Sequence, residues 1–318
     1  MKITLAEPLN ITDTVCNRLA EPLLEAGHEF TSFNTLWKDE EELVSRISDS
    51  DIVMIANHPF PGSVIEKCPN LKMLDVAFTG IDHVDTGACK ERNITVCNAA
   101  GYSTQSVAEL VIAMAVIGLR NLGKANETIR HGGTSAGLGG REIAGRTVGI
   151  IGLGAIGMAV AKLFTAFGAK VIAFNRSERD EAKALGVVYK SLDEVLRESD
   201  IVTVHLPNNS ETRGMISKEK IALMKNTAVF INCARGPIVD NKALANALNN
   251  EELGFACIDV FDMEPPLPAD YPLLYAKNTF LTPHQGFISE EAMVRRAAIV
   301  FDNAIEFTQG SPVNVCKL

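Results

Sequence analysis

The chain has 318 residues, 47% of them hydrophobic and 22% charged, with a formal net charge of −9. That length predicts about two domains, and the composition is that of a globular protein able to bury a sizeable core. The acid excess argues against nucleic acid and anionic membrane as bulk partners, so any anionic ligand must be met by local positive charge.

Residues 1–7 show no apolar signal core, and the apolar uncharged stretch 147–161 contains four glycines and falls short of a membrane span. The seven cysteines lie mostly in apolar runs without a C-x-x-C pair, the pattern of reduced thiols, and a cytoplasmic location is expected. Along the first third, strands are predicted at 2–6, 30–34, 52–56, 73–78 and 95–98, with helical patterns at 11–26 and 40–48. This βα repeat predicts a parallel sheet. One long apolar helix is expected over 106–130, opened by Ser103 and Thr104, followed by a glycine-rich surface loop at 131–140. A second series begins at Thr147, with strands at 148–151, 171–174, 187–189, 201–205, 228–232, 255–260 and 279–281, and a last helix at 289–309. The fold class is therefore α/β, with two doubly wound parallel-sheet domains. Each should place ligands at the C-terminal edges of its strands, and the cleft between two such domains is the natural active site.

The second series opens on a dinucleotide fingerprint. After the apolar run 148–151 come Gly152, Gly154 and Gly157 at G-x-G-x-x-G spacing, then a helical pattern, then the strand 171–174. Gly152 permits a tight turn, Gly154 lets backbone approach a pyrophosphate, and Gly157 lets the helix pack closely on the strand. An isolated glycine triplet would be an ordinary βα turn; the flanking strand–helix–strand pattern favours a cofactor site. The acidic residue that usually binds the ribose of NAD about 20 residues after the first glycine is replaced by Asn175, Arg176 and Ser177. With no carboxylate to repel a 2′-phosphate, Arg176 can pair with it and Ser177 can donate to it. NADP is therefore favoured over NAD. The alternative is a solvated Arg176 paired with Glu178 or Asp180.

Three further strand ends in this half carry ionisable groups: Arg235 in 232–240, Asp259 with Glu264 in 257–265, and His284 in 282–287. With segments 77–85, 98–109, 145–157 and 205–212, these closely resemble the D-isomer-specific 2-hydroxyacid dehydrogenases over nearly the whole chain. The resemblance implies that Arg235, Glu264 and His284 are catalytic. It also implies cofactor contacts from Thr104, Ala155, Ile156, His205, Leu206, Pro207, Thr212, Cys233, Ala234, Arg235, Asp259 and His284, with Asp259 at the nicotinamide end. Substrate contacts are expected from Arg235, His284, Asn57 and the Phe78-Thr79-Gly80 turn. No metal is expected. The family's organisation implies a flavodoxin-like substrate domain from residues 1–99 plus 287–318. A Rossmann cofactor domain, 100–286, is inserted, with hinges near 98–101 and 286–288.

These residue types suit reduction of a 2-oxo acid. Arg235 can fork onto the carboxylate and carbonyl oxygen. His284 can protonate the developing alkoxide and take the proton back in the reverse direction, and a carboxylate at Glu264 favours the imidazolium. Hydroxypyruvate or glyoxylate is the favoured substrate, because no arginine stands near Asn57 and His58 to bind a phosphorylated one. D-lactate and 3-phosphoglycerate are alternatives within the family. Further alternatives among relatives of this fold are an NAD(H)-sensing corepressor and formate or phosphite oxidation. The segment Gln285-Gly286-Phe287 departs from the family's usual run of small residues. A homodimer is expected, from the apolar segment 107–117 and from the family's habit.

Overall fold

The computed structural model describes residues 1–318, and the chain divides into two compact units. The first comprises Met1–Ser103 with Ile288–Leu318 and the second Thr104–Phe287.

The first unit runs β1 (Lys2–Leu5), α1 (Asp13–Glu25), β2 (Glu29–Ser32), α2 (Glu40–Ile47), β3 (Ile52–Ile55), α3 (Gly62–Glu66), β4 (Met73–Val76), α4 (Thr86–Glu91) and β5 (Thr95–Asn98). Its five parallel strands lie in the order β2-β1-β3-β4-β5. This is the flavodoxin-like order, with its switch point between β1 and β3. β3 and β4 are fully buried, as expected of strands covered by helices on both faces. Side chains start the principal helices, with Thr12 capping α1 and Asp39 capping α2.

The second unit runs α5 (Thr104–Arg120), α6 (Leu122–Arg130), β6 (Thr147–Ile151), α7 (Ala155–Ala166), β7 (Lys170–Phe174), α8 (Asp180–Ala184), β8 (Val188–Tyr189) and α9 (Leu192–Glu198). It continues with β9 (Ile201–Val204), α10 (Lys218–Ile221), β10 (Val229–Asn232), α11 (Asn241–Asn249), β11 (Phe255–Ile258) and β12 (Thr279–Leu281). The last helix of the chain, α12 (Glu290–Thr308), belongs to the first unit. Seven parallel strands are ordered β12-β11-β10-β9-β6-β7-β8, which puts the topological switch between β6 and β9. Period-two alternation feeds two cores. Val148, Ile150, Ile201, Val229 and Ile231 pack on one side, and Ile151, Val202, Val204 and Phe230 on the other.

The single helix expected over 106–130 is two helices. Asn121 adopts φ 52° in the left-handed region, and α5 and α6 diverge by 62°. Asn tolerates that conformation better than most residues with a side chain, so an asparagine between two apolar-patterned segments breaks the run. Within the chain, α5 packs on α7, β10 and β11 and buries Val107, Ala108, Val111, Met114 and Ala115. Much of the apolar segment 107–117 is therefore accounted for by intrachain burial. α6 buries nothing and leaves Leu122 and Ile129 exposed. No single helix is long and apolar enough to cross a membrane.

Candidate active site

In the second unit the glycine turn sits at the sheet's switch point. Gly152 follows β6 with φ +100°, and a Cβ there would lie 2.6 Å from the carbonyl oxygen of His205, just past β9. A Cβ on Gly157 would meet the Gly152 carbonyl oxygen at 2.0 Å, so α7 approaches the turn closely only because residue 157 lacks one. Gly154 differs: nothing lies within 4 Å of its Cβ position, and it starts α7 without a side-chain cap. The first-turn N–H groups of Ala155 and Ile156 lie at an open helix N-terminus, the arrangement that suits a pyrophosphate.

Asn175 has a role the sequence did not disclose. Its Oδ1 accepts from Leu153 N at 3.0 Å and its Nδ2 donates to the Ser177 carbonyl at 2.6 Å, so the side chain splints the glycine turn to the end of β7. Arg176 is 91% exposed, and its partner is Glu211 at 3.7 Å rather than Glu178 or Asp180. Glu178 is taken by Lys183. Ser177 is exposed beside it. Past β9, His205 Nε2 lies 2.9 Å from Thr203 Oγ1, and burial drives the imidazole down to about 3, so it is neutral. Leu206 packs against the core. Thr212 is buried, and its hydroxyl donates to the Pro207 carbonyl at 2.5 Å, closing the loop after β9.

Arg235 follows β10 in a clamped loop. Asn232, fully buried, accepts from Ala234 N at 3.0 Å and donates from Nδ2 to the Arg235 carbonyl at 3.0 Å. Arg235 Nη1 donates to the Ala234 carbonyl at 2.8 Å. Gly236 packs so tightly on the next strand end that a Cβ would fall 1.8 Å from Phe261 O. Cys233 is buried against Met114, and burial followed by the nearby Asp259 carboxylate pushes its thiol well above the ordinary range. It packs as an inert thiol.

Asp259 holds the histidine turn. It is 1% exposed; Oδ1 accepts from Thr282 Oγ1 at 2.5 Å and Gln285 N at 2.9 Å, and Oδ2 from Gly286 N at 2.8 Å. Its backbone carbonyl takes His284 N at 2.8 Å. Both side-chain oxygens are thus engaged by the segment around His284. His284 itself has φ +55°, an uncommon conformation that the surrounding bonds must enforce. Its Nδ1 lies 2.8 Å from both Glu264 oxygens, with the His side chain 11% exposed and the Glu 58%. Phe287 packs edge-on against the imidazole at 5.3 Å. Nε2 is the ring nitrogen turned away from Glu264.

In the first unit, the expected substrate residues line adjacent strand ends. Asn57 follows β3, and its N–H donates to Glu7 Oε1 at 3.3 Å. Glu7, 2% exposed, also accepts from Ala56 N at 2.7 Å and pairs with His58 Nδ1. Burial opposes ionisation of Glu7, but these bonds outweigh it and hold the carboxyl below its ordinary value. His58 therefore stands in a carboxylate–imidazole pair at the switch point, with Trp37 edge-on at 5.7 Å; nothing near it in sequence announces Glu7. Phe78 is buried and Thr79 exposed on the turn after β4, whose Thr79 carbonyl is held by Asn98 Nδ2 at 2.8 Å. Thr104 opens α5, half-buried.

Comparison with known proteins accords with this geometry. Residues 112–286 match the family model for the D-isomer specific 2-hydroxyacid dehydrogenase, NAD binding domain. The hydroxypyruvate reductase of Blautia hydrogenotrophica is 37% identical over 284 residues, covering 87% of this chain and 88% of that one. The glyoxylate reductase of Korarchaeum cryptofilum is 35% identical over 287 residues, covering 86% of each. Among solved structures, an acyclic imino acid reductase in complex with NADPH and D-Arg superposes with a TM-score of 0.90 at 31% identity, over the whole of both chains. The chain belongs to the D-isomer-specific 2-hydroxyacid dehydrogenase family, oxidoreductases of 2-hydroxy acids built around an NAD(P)-binding domain.

Proposed function

We propose that the protein reduces a small 2-oxo acid, with hydroxypyruvate or glyoxylate favoured, using NADP(H) in preference to NAD(H). The observation that carries this reading is the Glu264–His284 pair at 2.8 Å, presented with the clamped Arg235 on the unit that also carries the glycine turn. Gly152, Gly154, Gly157 and the N–H groups of Ala155 and Ile156 would hold the pyrophosphate, which the open space at Gly154 admits. The dinucleotide supplies the hydride when bound.

Arg235 orients the acid through paired hydrogen bonds to carboxylate and carbonyl oxygen. His284 donates its Nε2 proton to the oxygen that becomes the hydroxyl and recovers it in oxidation. Glu264, on Nδ1, fixes the orientation of the ring. Asn57 and the Phe78–Gly80 turn are proposed substrate contacts on the family resemblance.

NADP preference rests on the strand end after β7. None of residues 175–177 is acidic, and the Arg176–Glu211 pair is exposed on both sides, so Arg176 is readily recruited by a phosphate. The NADPH bound by the imino acid reductase supports the same preference. That neighbour also favours a second reading, reduction of an imino acid. A homodimer is proposed as well, supported by exposed Leu122 and Ile129 on α6; light scattering showing a monomer at micromolar concentration would count against it.

One rate panel tests the reading: glyoxylate, hydroxypyruvate, pyruvate and pyruvate with an amine, each with NADH and NADPH. Turnover of the first two with NADPH preferred is expected. Equal or better efficiency with NADH overturns the cofactor preference. Turnover only when the amine is present favours the imino acid, and unchanged turnover in His284→Ala overturns the acid–base assignment.

A further inference from the structure

The loop that carries Glu264 is largely exposed: Met263, Pro266, Pro268, Ala269 and Asp270 all face solvent. Leu267 is the side chain of this loop that packs against the core, so apolar packing near Glu264 itself does little to fix the height at which it meets His284. Its base is held differently. Tyr271 Oη donates to Asp262 Oδ2 at 2.8 Å, joining residues nine apart in sequence across the ends of the loop. On the other carboxylate oxygen, Asp262 Oδ1 accepts from Asn241 Nδ2 at 2.8 Å. The same amide group reaches the Gly236 carbonyl at 3.3 Å, one residue beyond Arg235.

Two of these three side chains are buried, with Tyr271 6% and Asn241 4% exposed. Tyr271 is further fixed by an edge-on contact with Phe261 at 5.7 Å. Burial, then the Asp262 carboxylate, raises the phenol above its ordinary range, so it remains a donor across the pH range in which the protein is handled. Asn241 heads α11, next to the Asp240 cap. The chain of contacts thus starts on a rigid helix end, touches the backbone of the Arg235 loop, and finishes at both ends of the Glu264 loop.

We propose that Tyr271, Asp262 and Asn241 are positioning residues that clip the Glu264 loop to the Arg235 loop and set Glu264 against His284. The inference rests on the catalytic reading given above and adds three residues that act only through Glu264. A hydrogen-bonded clip suits this task because the loop projects into solvent, where apolar packing is scarce.

A double-mutant cycle tests it. Wild type, Tyr271→Phe, Glu264→Ala and the double variant are compared for kcat on the 2-oxo acid turned over fastest, with NADPH affinity measured by calorimetry. Tyr271→Phe is expected to lower kcat about tenfold and to leave the NADPH Kd within about twofold. In the Glu264→Ala background the same substitution should leave kcat unchanged. An equal fractional fall in both backgrounds, or no fall with Glu264 present, overturns the clip. Wild-type kcat in Glu264→Ala instead overturns the catalytic reading, and the clip falls with it. Should Tyr271→Phe fail to fold, Asp262→Asn replaces it with the same expectations, since its amide cannot accept from both Tyr271 and Asn241.

Discussion

Asp259→Asn changes one atom and tests how the histidine turn is held. The carboxylate accepts on both sides, from Thr282 and Gln285 at one oxygen and from Gly286 at the other. An amide accepts on one side only. Turned one way, its NH2 faces Gly286 N; turned the other, it faces Gln285 N. Either orientation sets the amide NH2 against a backbone N–H in a site that is 1% exposed. Losing a hydrogen bond to a charged group costs about 1.5–3 kcal/mol, and a buried donor left unmatched about 1–3 kcal/mol more. A total near 4 kcal/mol lies at the upper end for single substitutions. At roughly 2–4 °C per kcal/mol for a unit of this size, melting of the second unit should fall by about 8–16 °C. The left-handed His284 backbone depends on these bonds, so the turn should relax and kcat should fall by at least about tenfold below the melting range. Calorimetry and steady-state rates on the same preparation read both effects. A variant with wild-type Tm and wild-type kcat would refute the argument that Asp259 organises the turn.

Four other outcomes are expected. Gly157→Ala places a Cβ 2.0 Å from the Gly152 carbonyl oxygen, pushing α7 off the turn; strain of about 1–3 kcal/mol should weaken NADPH binding by roughly 5- to 150-fold in a calorimetric titration. Arg176→Ala should raise the NADPH KM about tenfold and leave NADH nearly unchanged, which paired rate curves will show. Asp75, fully buried on β4 with Asn303 donating to it, is pushed by burial well above the ordinary carboxyl range. The unfolded chain releases that proton near pH 4 while the folded chain keeps it, so stability falls with rising pH by about 1.4 kcal/mol per unit until the folded carboxyl ionises. Asp75→Asn should therefore gain stability relative to wild type as pH rises above about 4 in denaturant titrations. Glu7 has the opposite sign: held below its ordinary value, it stabilises above the unfolded pKa near 4.3 and loses that contribution as pH falls. The deficit of Glu7→Gln should shrink on acidification.

The strands were legible because each is a short apolar run bounded by turn residues, and the parallel pairing follows from their alternation with helices. The glycine fingerprint was legible because its spacing is local. The break at Asn121 was not, since apolar residues continue on both sides and only the backbone angle marks the change. Roles that depend on distant partners were also hidden. Asn175, expected as a cofactor contact, also splints Leu153, 22 residues earlier. His58 carries no local sign of its partner, Glu7, 51 residues away. Asn232 and Thr282 carry no motif of their own; each acts by holding a neighbour whose type had already drawn notice.

The backbone at His284 has a practical consequence for anyone who wishes to dissect the chemistry. On the proposed mechanism position 284 must satisfy two demands at once, an imidazole for the proton and a main chain at φ +55°. Most replacements disturb both, so a loss of rate in alanine mixes a missing proton donor with a reshaped turn. Asparagine shares histidine's tolerance of that conformation and lacks its titration. His284→Asn is therefore the cleaner ablation, and the difference between the alanine and asparagine variants measures how much of the site's performance resides in the shape of the main chain.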